Sequence, residues 1–165
     1  MKMESMSKNV VKIMGELTKN QGLARLLVNN DDNPFTKPVE NTHKLIIPDA
    51  SSSKIFPYPF DPEATVNDGS FIRVYYNDGS FNSNETIAES QLHIDIIVAK
   101  KLWLINNGDE SMIRPYEIMG HVVSMLGKRS LNTTIKLNFE GYMHMYINSK
   151  FDAVRLFANY MSVEA

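Results

Sequence analysis

The stretch that decides the fold is Gln91-Leu92-His93-Ile94-Asp95-Ile96-Ile97-Val98, in the middle of a chain of 165 residues. Apolar side chains recur at every second position, which is the period of a β-strand. The same alternation puts His93 and Asp95 together on the opposite face. One apolar face and one polar face are typical of an antiparallel strand with a core on one side and solvent on the other. We therefore predict a central strand here, with His93 and Asp95 exposed.

Further strands are predicted on both sides of this one. Residues 71–76, 134–147 and 154–161 are rich in β-branched and aromatic residues, and Glu140-Gly141 suggests a bulge. The sequence Asn-Asp-Gly occurs at 67–69 and again at 77–79, where it predicts tight turns. Residues 80–90 are polar and predict a loop, and Lys44-Leu45-Ile46-Ile47 predicts a short strand.

Three segments have helical spacing. The first begins at about Ser7 and has an apolar face that includes Val11, and a short second one carries Leu23, Leu26 and Leu27. The third begins at Pro115, has an apolar stripe that includes Val122 and Val123, and ends before Gly127. Helices and strands in this order predict an α+β fold, a mainly antiparallel sheet with helices packed on one face. We predict a single domain over 1–165.

Residues 34–66 differ from the rest of the chain in composition. Six of the seven prolines lie between Pro34 and Pro62, and Pro57, Pro59 and Pro62 alternate with aromatic residues. Proline cannot donate a ladder hydrogen bond, so this stretch cannot be a central strand. We predict a long proline-rich arm or loop that packs on a surface.

Composition limits the classes of function. A net charge of -2 without a Lys/Arg-rich run argues against a nucleic-acid-binding surface. The chain has no cysteine, which excludes disulfides, thiolate metal sites and cysteine nucleophiles. No apolar run approaches the ~20 residues of a membrane helix, so we expect no membrane partner.

No constellation of residues indicates catalysis. His43, His93, His121 and His144 show no metal-ligand spacing, and phosphate-binding glycine loops and nucleophile elbows are absent from the sequence. We predict no catalytic, cofactor-binding or metal-binding residues and no enzyme activity. As surface residues, His93 and Asp95 should each be replaceable by alanine at a cost of ~0.5 kcal/mol or less.

A resemblance rests on the order of several elements. The strand at 92–97, Leu102-Trp103-Leu104-Ile105, the helix start Ile113-Arg114-Pro115-Tyr116 and the element Gly141-Tyr142-Met143-His144-Met145-Tyr146 resemble small neck and tail proteins of tailed bacteriophages. The opening helix pair, residues 15–27, and the loop at 32–38 are similar to that family as well.

The resemblance implies a structural virion protein of the tail-terminator or tail-completion type, made in the host cytoplasm and located in the tail or neck. Such a protein forms a ring, expected here to be a homohexamer, that contacts the tail tube and the neck or connector proteins. DNA passes through the ring only as cargo. Another neck or tail-tube component remains an alternative, as does a small-ligand-binding domain or an enzyme.

Four residues are candidates for a structural or interface role, namely Trp103, Arg114, Pro115 and Tyr116. We expect Trp103 and Arg114 to lie close together and to fix the connection between the central strand and the third helix. If the indole is buried, Trp103→Ala should cost ~3–5 kcal/mol.

Overall fold

A computed structural model describes residues 2–131 and 133–162. Residues 1, 132 and 163–165 of the predicted domain lie outside the described residues. The elements are α1 (Glu4–Leu17), α2 (Gln21–Val28), a 3-10 helix (Thr42–Ile46), β1 (Ile55–Phe56), β2 (Ser70–Phe81), β3 (Ile87–Ala99), a second 3-10 helix (Lys100–Leu102), β4 (Leu104–Asn106), β5 (Ser111–Ile113), α3 (Arg114–Leu126), β6 (Ile135–Tyr146) and β7 (Phe151–Ser162).

Five strands form one sheet in the order β1-β2-β3-β7-β6, and β4 pairs with β5 in a separate two-stranded ladder. All pairs are antiparallel except β1 with β2. The predicted α+β class with a mainly antiparallel sheet is confirmed. Strand β3 occupies the centre of this sheet, as its apolar alternation indicates.

The three helices cover one face of the sheet. Leu92, Ile94 and Ile96 of β3 are fully buried under them, together with Ile72 and Val74 of β2. The helices contribute apolar side chains at helical spacing, namely Ile13 and Leu17, Leu23, Leu26 and Leu27, and Ile118, Val122 and Leu126. Removal of this apolar surface from water, worth ~25 cal/mol per Å², is the main stabilising term of the fold.

Local signals set the starts of two helices. The side chain of Asn20 accepts a hydrogen bond from the Leu23 N–H at 2.9 Å and so caps α2. Pro115 occupies the first turn of α3, where no intrahelical donor is needed. Of these two starts, the sequence predicted the one at Pro115.

The predicted turn at 77–79 is wrong, because β2 continues through it to Phe81. The true loop is closed by Asn82, whose side chain accepts hydrogen bonds from the N–H groups of Asn84 and Thr86. Gly79 serves a different purpose from a turn. A Cβ at this position would come within 3.0 Å of the Glu89 carbonyl oxygen on the paired strand. The predicted polar loop at 80–90 is therefore largely a β-hairpin.

The predicted strand at 44–47 is also wrong, since Thr42–Ile46 forms a 3-10 helix. Asn41 precedes it in a left-handed conformation at φ 51°, and this turns the chain into the helix. Leu45 is buried there against the main core. A single buried side chain in a four-residue apolar run does not require a strand.

The proline-rich segment lies against its own subunit. Arg25 donates to the Phe35 carbonyl at 2.8 Å, and the Asn29 amide donates to the carbonyls of Pro34 and Lys37. Further along, Phe60 joins a second apolar cluster on the face of the sheet opposite the helices. The expected packing on a surface is therefore present within the subunit.

Arg73 holds the distal part of this segment in place. Its guanidinium carbon lies 3.9 Å from the ring centroid of Phe56 and within 5.4 Å of those of Tyr58 and Phe60. A cation over several aromatic faces is attracted by their electron density. Burial lowers the pKa of Arg73, and the nearby Tyr58 opposes that shift.

His93 and Asp95 lie on the face predicted for them, but the prediction that they are exposed is wrong. Each is only 3% exposed. Asp95 accepts hydrogen bonds from the Arg155 Nε at 2.7 Å and from the Tyr75 hydroxyl at 2.5 Å. The rings of Tyr75 and Phe157 flank His93 edge-on at 5.6 and 5.2 Å. Neighbouring strands supply these large side chains, which cover the pair although no helix does.

This burial changes what substitution should do. Asp95→Ala removes the carboxylate that accepts hydrogen bonds from the Arg155 guanidinium and the Tyr75 hydroxyl. Loss of the main partner of a buried donor lowers the free energy of unfolding. Burial and the hydrogen bond to Asp95 raise the pKa of Tyr75. The expected cost of ~0.5 kcal/mol for surface residues therefore does not apply to this pair.

We predict that protonation of His93 destabilises the protein in mild acid. Its Nε2 contacts the Gln91 Oε1 at 2.8 Å, and its buried Nδ1 has no hydrogen-bond partner among the described residues. Burial and then Arg155 lower the pKa of His93, while Asp95 opposes them. The unfolded chain, with a histidine pKa of ~6.5, therefore binds the proton first, and stability falls as the pH drops below ~6.5.

Urea unfolding at pH 8, 6.5 and 5.5 measures this effect. The His93→Gln variant should lose less stability between pH 8 and 5.5 than the wild-type protein does. The value at pH 8, where the ring is neutral in both states, separates the packing change from the titration. Equal pH slopes for the two proteins would contradict the prediction. His121, whose pKa burial also lowers, adds to the slope of both proteins.

Candidate assembly surface

Several exposed apolar side chains lie where α3 meets β6. Tyr116 and Val123 of α3 are exposed, and so are Tyr142 and Tyr146 of β6, at 65% and 89%. Between the two elements runs a shallow groove of about 410 Å³. Its lining is apolar apart from Glu140, and Gly120 and Gly141 open directly onto free space. We call this region the α3–β6 surface.

The α3–β6 surface includes the longer free edge of the sheet. Strand β6 has 12 residues and pairs on one side only, with β7. On its outer side the described residues make a single bridge, from Leu137 to Gly127. The other edge strand, β1, has only two residues and is followed by prolines. Unpaired backbone groups along an edge can pair with a strand of another chain.

A bulge shapes this edge. The register of β6 against β7 shifts between Phe139 and Gly141, so Glu140 is the extra residue. The sequence predicted a bulge or corner at this dipeptide. A bulge increases the local twist of its strand. Tyr142, Met143 and Tyr146, which follow the bulge, are exposed to solvent. These residues belong to the Gly-Tyr-x-x-x-Tyr element on which the phage resemblance rests.

The four candidate residues occupy different depths. Arg114 is completely buried, Pro115 is buried, Trp103 is half-buried, and Tyr116 is exposed in the groove. The structure brings Trp103 and Arg114 together, because the Arg114 N–H donates to the Trp103 carbonyl at 2.8 Å. Only Tyr116 is available for contact across the groove.

The predicted cost of ~3–5 kcal/mol for Trp103→Ala assumed a buried indole, but Trp103 is only half-buried. Its ring lies 5.9 Å from that of His144, which in turn lies 4.9 Å from Tyr146. His144 also approaches the Asp152 carboxylate at 3.2 Å. The indole therefore packs against the edge strand β6 and lies only partly in the core. Trp103→Ala should lower the free energy of unfolding by less than ~3 kcal/mol.

The buried Arg114 guanidinium joins three parts of the chain. It donates to the carbonyls of Leu102, Leu26, Asn29 and Asp31 at 2.9, 2.7, 2.9 and 3.1 Å. Two of these carbonyls belong to the last turn of α2 and the residue after it, where helical carbonyls lack partners. Burial lowers the pKa of Arg114 to about 10, and Asp31 and Asp32 oppose that shift. Arg114 is therefore cationic at neutral pH.

Val123 is exposed, although the sequence placed it, like Val11 of α1, on the apolar side of its helix. The predicted stripe of α3 contained both Val122 and Val123, but neighbouring helical positions point about 100° apart. Val122 faces the core and Val123 the groove. A narrower predicted stripe of Ile118, Val122 and Leu126 would have left Val123 off the buried face and predicted its exposure.

Among the described residues no group of three or more histidine, cysteine, aspartate or glutamate side chains could hold a metal ion. No helix in the described ranges is long and apolar enough to cross a membrane. What the α3–β6 surface offers is instead a contact area with aromatic side chains and unpaired strand backbone.

Replacement of Arg114 should show how much the helix arrangement depends on it. Arg114→Met removes the donors of four carbonyls, and we expect a loss of ~4 kcal/mol, since each orphaned buried acceptor costs ~1–3 kcal/mol. Arg114→Lys keeps the charge without the planar fork and should lose about half as much. Urea unfolding at pH 7 measures both losses.

Arg25→Met is the matched control, because Arg25 donates to one backbone carbonyl, that of Phe35. It should cost ~1 kcal/mol. If Arg114→Met cost no more than this control, the joining role of Arg114 would be refuted.

Comparison with known proteins gives a family. The family model YomW matches residues 20–160, from the cap of α2 to near the end of β7. No curated protein and no solved structure matches the chain. The family name is that of a phage-derived group and does not specify a neck or tail role. Since the model covers well over half of the chain, the protein belongs to the YomW family and is a phage protein.

Proposed function

We propose that this phage protein is a tail terminator or tail-completion protein. In this proposal it forms a homo-oligomeric ring, six-fold when docked, at the head-proximal end of the tail. The ring stops growth of the tail tube and presents a surface to the neck or connector proteins. The observation that carries the proposal is the exposed α3–β6 surface beside a long free edge strand.

The chemistry of the α3–β6 surface suits a permanent contact between proteins. Tyrosine is enriched where interfaces bury their core, since it offers a large apolar ring with a polar tip. Tyr116, Val123 and Tyr142 line the groove, and Tyr146 lies on the same face of β6 as Tyr142. Contiguous exposed apolar patches of this kind mark sites of association.

The free edge adds directional bonding to that patch. On the outer side of β6, the backbone of residues 141–146 pairs with no strand of the described chain. Pairing with an extended segment of a neighbour would satisfy these backbone groups, as in β-augmentation. A ring built this way needs no active site, and we propose that the protein is not an enzyme.

The buried polar groups support a non-catalytic role. Tyr75, Asp95 and Arg155 bond to one another on the sheet and do not line the α3–β6 groove. Groups tuned for catalysis are usually arranged in a cleft that substrate can enter. Their arrangement here is that of a structural network.

A single substitution on the α3–β6 surface should prevent self-association. Tyr142→Glu places a charge in the middle of the interface, where desolvation is unfavourable. We expect the wild-type protein to form rings at high concentration or on tails, and the variant to remain a folded monomer. Light scattering after size exclusion, negative-stain microscopy and circular dichroism provide the measurements.

Val11→Glu on α1 is the control, because Val11 is similarly exposed, at 61%, and lies away from the groove. It should assemble like the wild-type protein. A Tyr142→Glu protein that still forms rings would contradict the role of this surface.

The position in the virion has its own test. Phage lacking the protein should accumulate tails of unregulated length that do not join heads. Purified wild-type protein added to growing tail tubes should stop their elongation, and Tyr142→Glu should not. If the protein instead copolymerises along the whole tube, it is a tail-tube component and the terminator proposal fails.

A further inference from the structure

The two long hairpins diverge beyond the middle of the sheet. Pairing of β3 with β7 ends at Leu92 and Ala158. The β2–β3 pairing continues to Phe81 and Ile87, while β6 and β7 remain paired up to Ser162. Between them lies an open cavity of about 700 Å³. We call residues 77–91 the acidic arm, for the reason that follows.

The acidic arm carries charge of one sign only. It contains Asp78, Glu85 and Glu89 and has neither lysine nor arginine. Asp78 and Glu89 line the cavity, and Glu140 of β6 lines it from the other side. Among the described residues that line the cavity, none is basic. A cavity walled by carboxylates favours a cationic partner.

A cationic segment lies next to the other edge strand, β6, at the same end of the sheet as the acidic arm. Residues 128–131, which we call the basic loop, connect α3 to β6 and contain Lys128 and Arg129. Both are exposed, and neither forms an ion pair with a described residue. Leu131 follows them and is 95% exposed. The loop is continuous with the α3–β6 surface at the end of α3.

These two segments meet the geometric requirement for a ring. The acidic arm extends from β2 and β3, toward the β1 edge, while the basic loop leads into the opposite edge strand. A cyclic ring repeats one head-to-tail contact between two different surfaces of the subunit. Two acidic arms would repel one another, so a two-fold contact between arms is disfavoured.

We propose that the basic loop of one copy docks against the acidic arm of the next copy. Lys128 and Arg129 enter the open cavity and pair with Asp78 and Glu89. This contact rests on the proposed ring and identifies its two complementary surfaces. The α3–β6 surface supplies most of the apolar area, and the charge pairs select the correct register between copies.

Charge reversal tests the contact in both directions. The arm variant is Asp78→Lys with Glu89→Lys, and the loop variant is Lys128→Glu with Arg129→Glu. Alone, each variant brings like charges together, and we expect it to need at least about ten times more protein to assemble than the wild-type chain does. The chain that carries all four substitutions restores opposite charges and should assemble again.

Mixing the two variants is the sharper measurement. An arm of the first variant can accept a loop of the second, and the reverse pairing also works. An equimolar mixture should therefore form rings in which the two variants alternate, which close only with an even number of subunits. Native mass spectrometry with one variant isotope-labelled measures the composition. Lys8→Glu with Lys12→Glu, on the exposed side of α1, is the control and should assemble normally.

The outcomes separate this inference from the proposed function. If the wild-type protein forms rings and both reversed variants do so equally well, the contact is refuted and the ring stands. If each reversed variant fails to assemble, and neither the mixture nor the chain with all four substitutions forms rings, the pairing is also refuted. A wild-type protein that is monomeric at all concentrations and on tails refutes the ring, and this contact with it.

Discussion

The junction between α2 and α3 depends on the guanidinium of Arg114. It lies where the end of α2, the loop after it and the start of α3 converge, and it bonds four backbone carbonyls there. No other side chain type offers five donors in one rigid plane. The partners are carbonyl dipoles, with Asp31 and Asp32 supplying negative charge nearby. A buried cation is acceptable here because nearly every donor is used.

The orientation of α3 follows from that corner. Its first residue is fixed from both sides, by the side-chain bonds of Arg114 and by its own N–H donated to Trp103. The apolar stripe of α3 then packs on β3, β7 and β6, while Tyr116 and Val123 line the groove beside β6. The groove between Tyr116 and Tyr142 exists because the helix is held in this direction. An internal constraint thus determines the shape of an external surface.

Sequence reasoning succeeded where local pattern and tertiary environment agree. The alternation at 92–98 and Pro115 each specify their element without help from distant residues. The turn at 77–79 was mispredicted because Asn-Asp-Gly can also occupy a strand when the glycine is needed for close approach to Glu89. The burial of His93 and Asp95 depends on Arg155 and Phe157, which are about 60 residues away in the chain, and no local pattern shows it.

Local sequence patterns also could not predict the α3–β6 surface, because distant parts of the chain form it. The sequence identified Tyr116 and the Tyr142–Tyr146 element but could not show that a helix and an edge strand bring them together. Apolar area and charge perform different tasks at such a surface. Apolar burial stabilises a contact but does not fix its orientation, so Tyr142 and Val123 alone would bind many apolar surfaces. Carboxylates on the acidic arm and cations on the basic loop penalise any arrangement that brings like charges together. A ring that must close with a fixed number of subunits requires both, because affinity without register would give irregular aggregates.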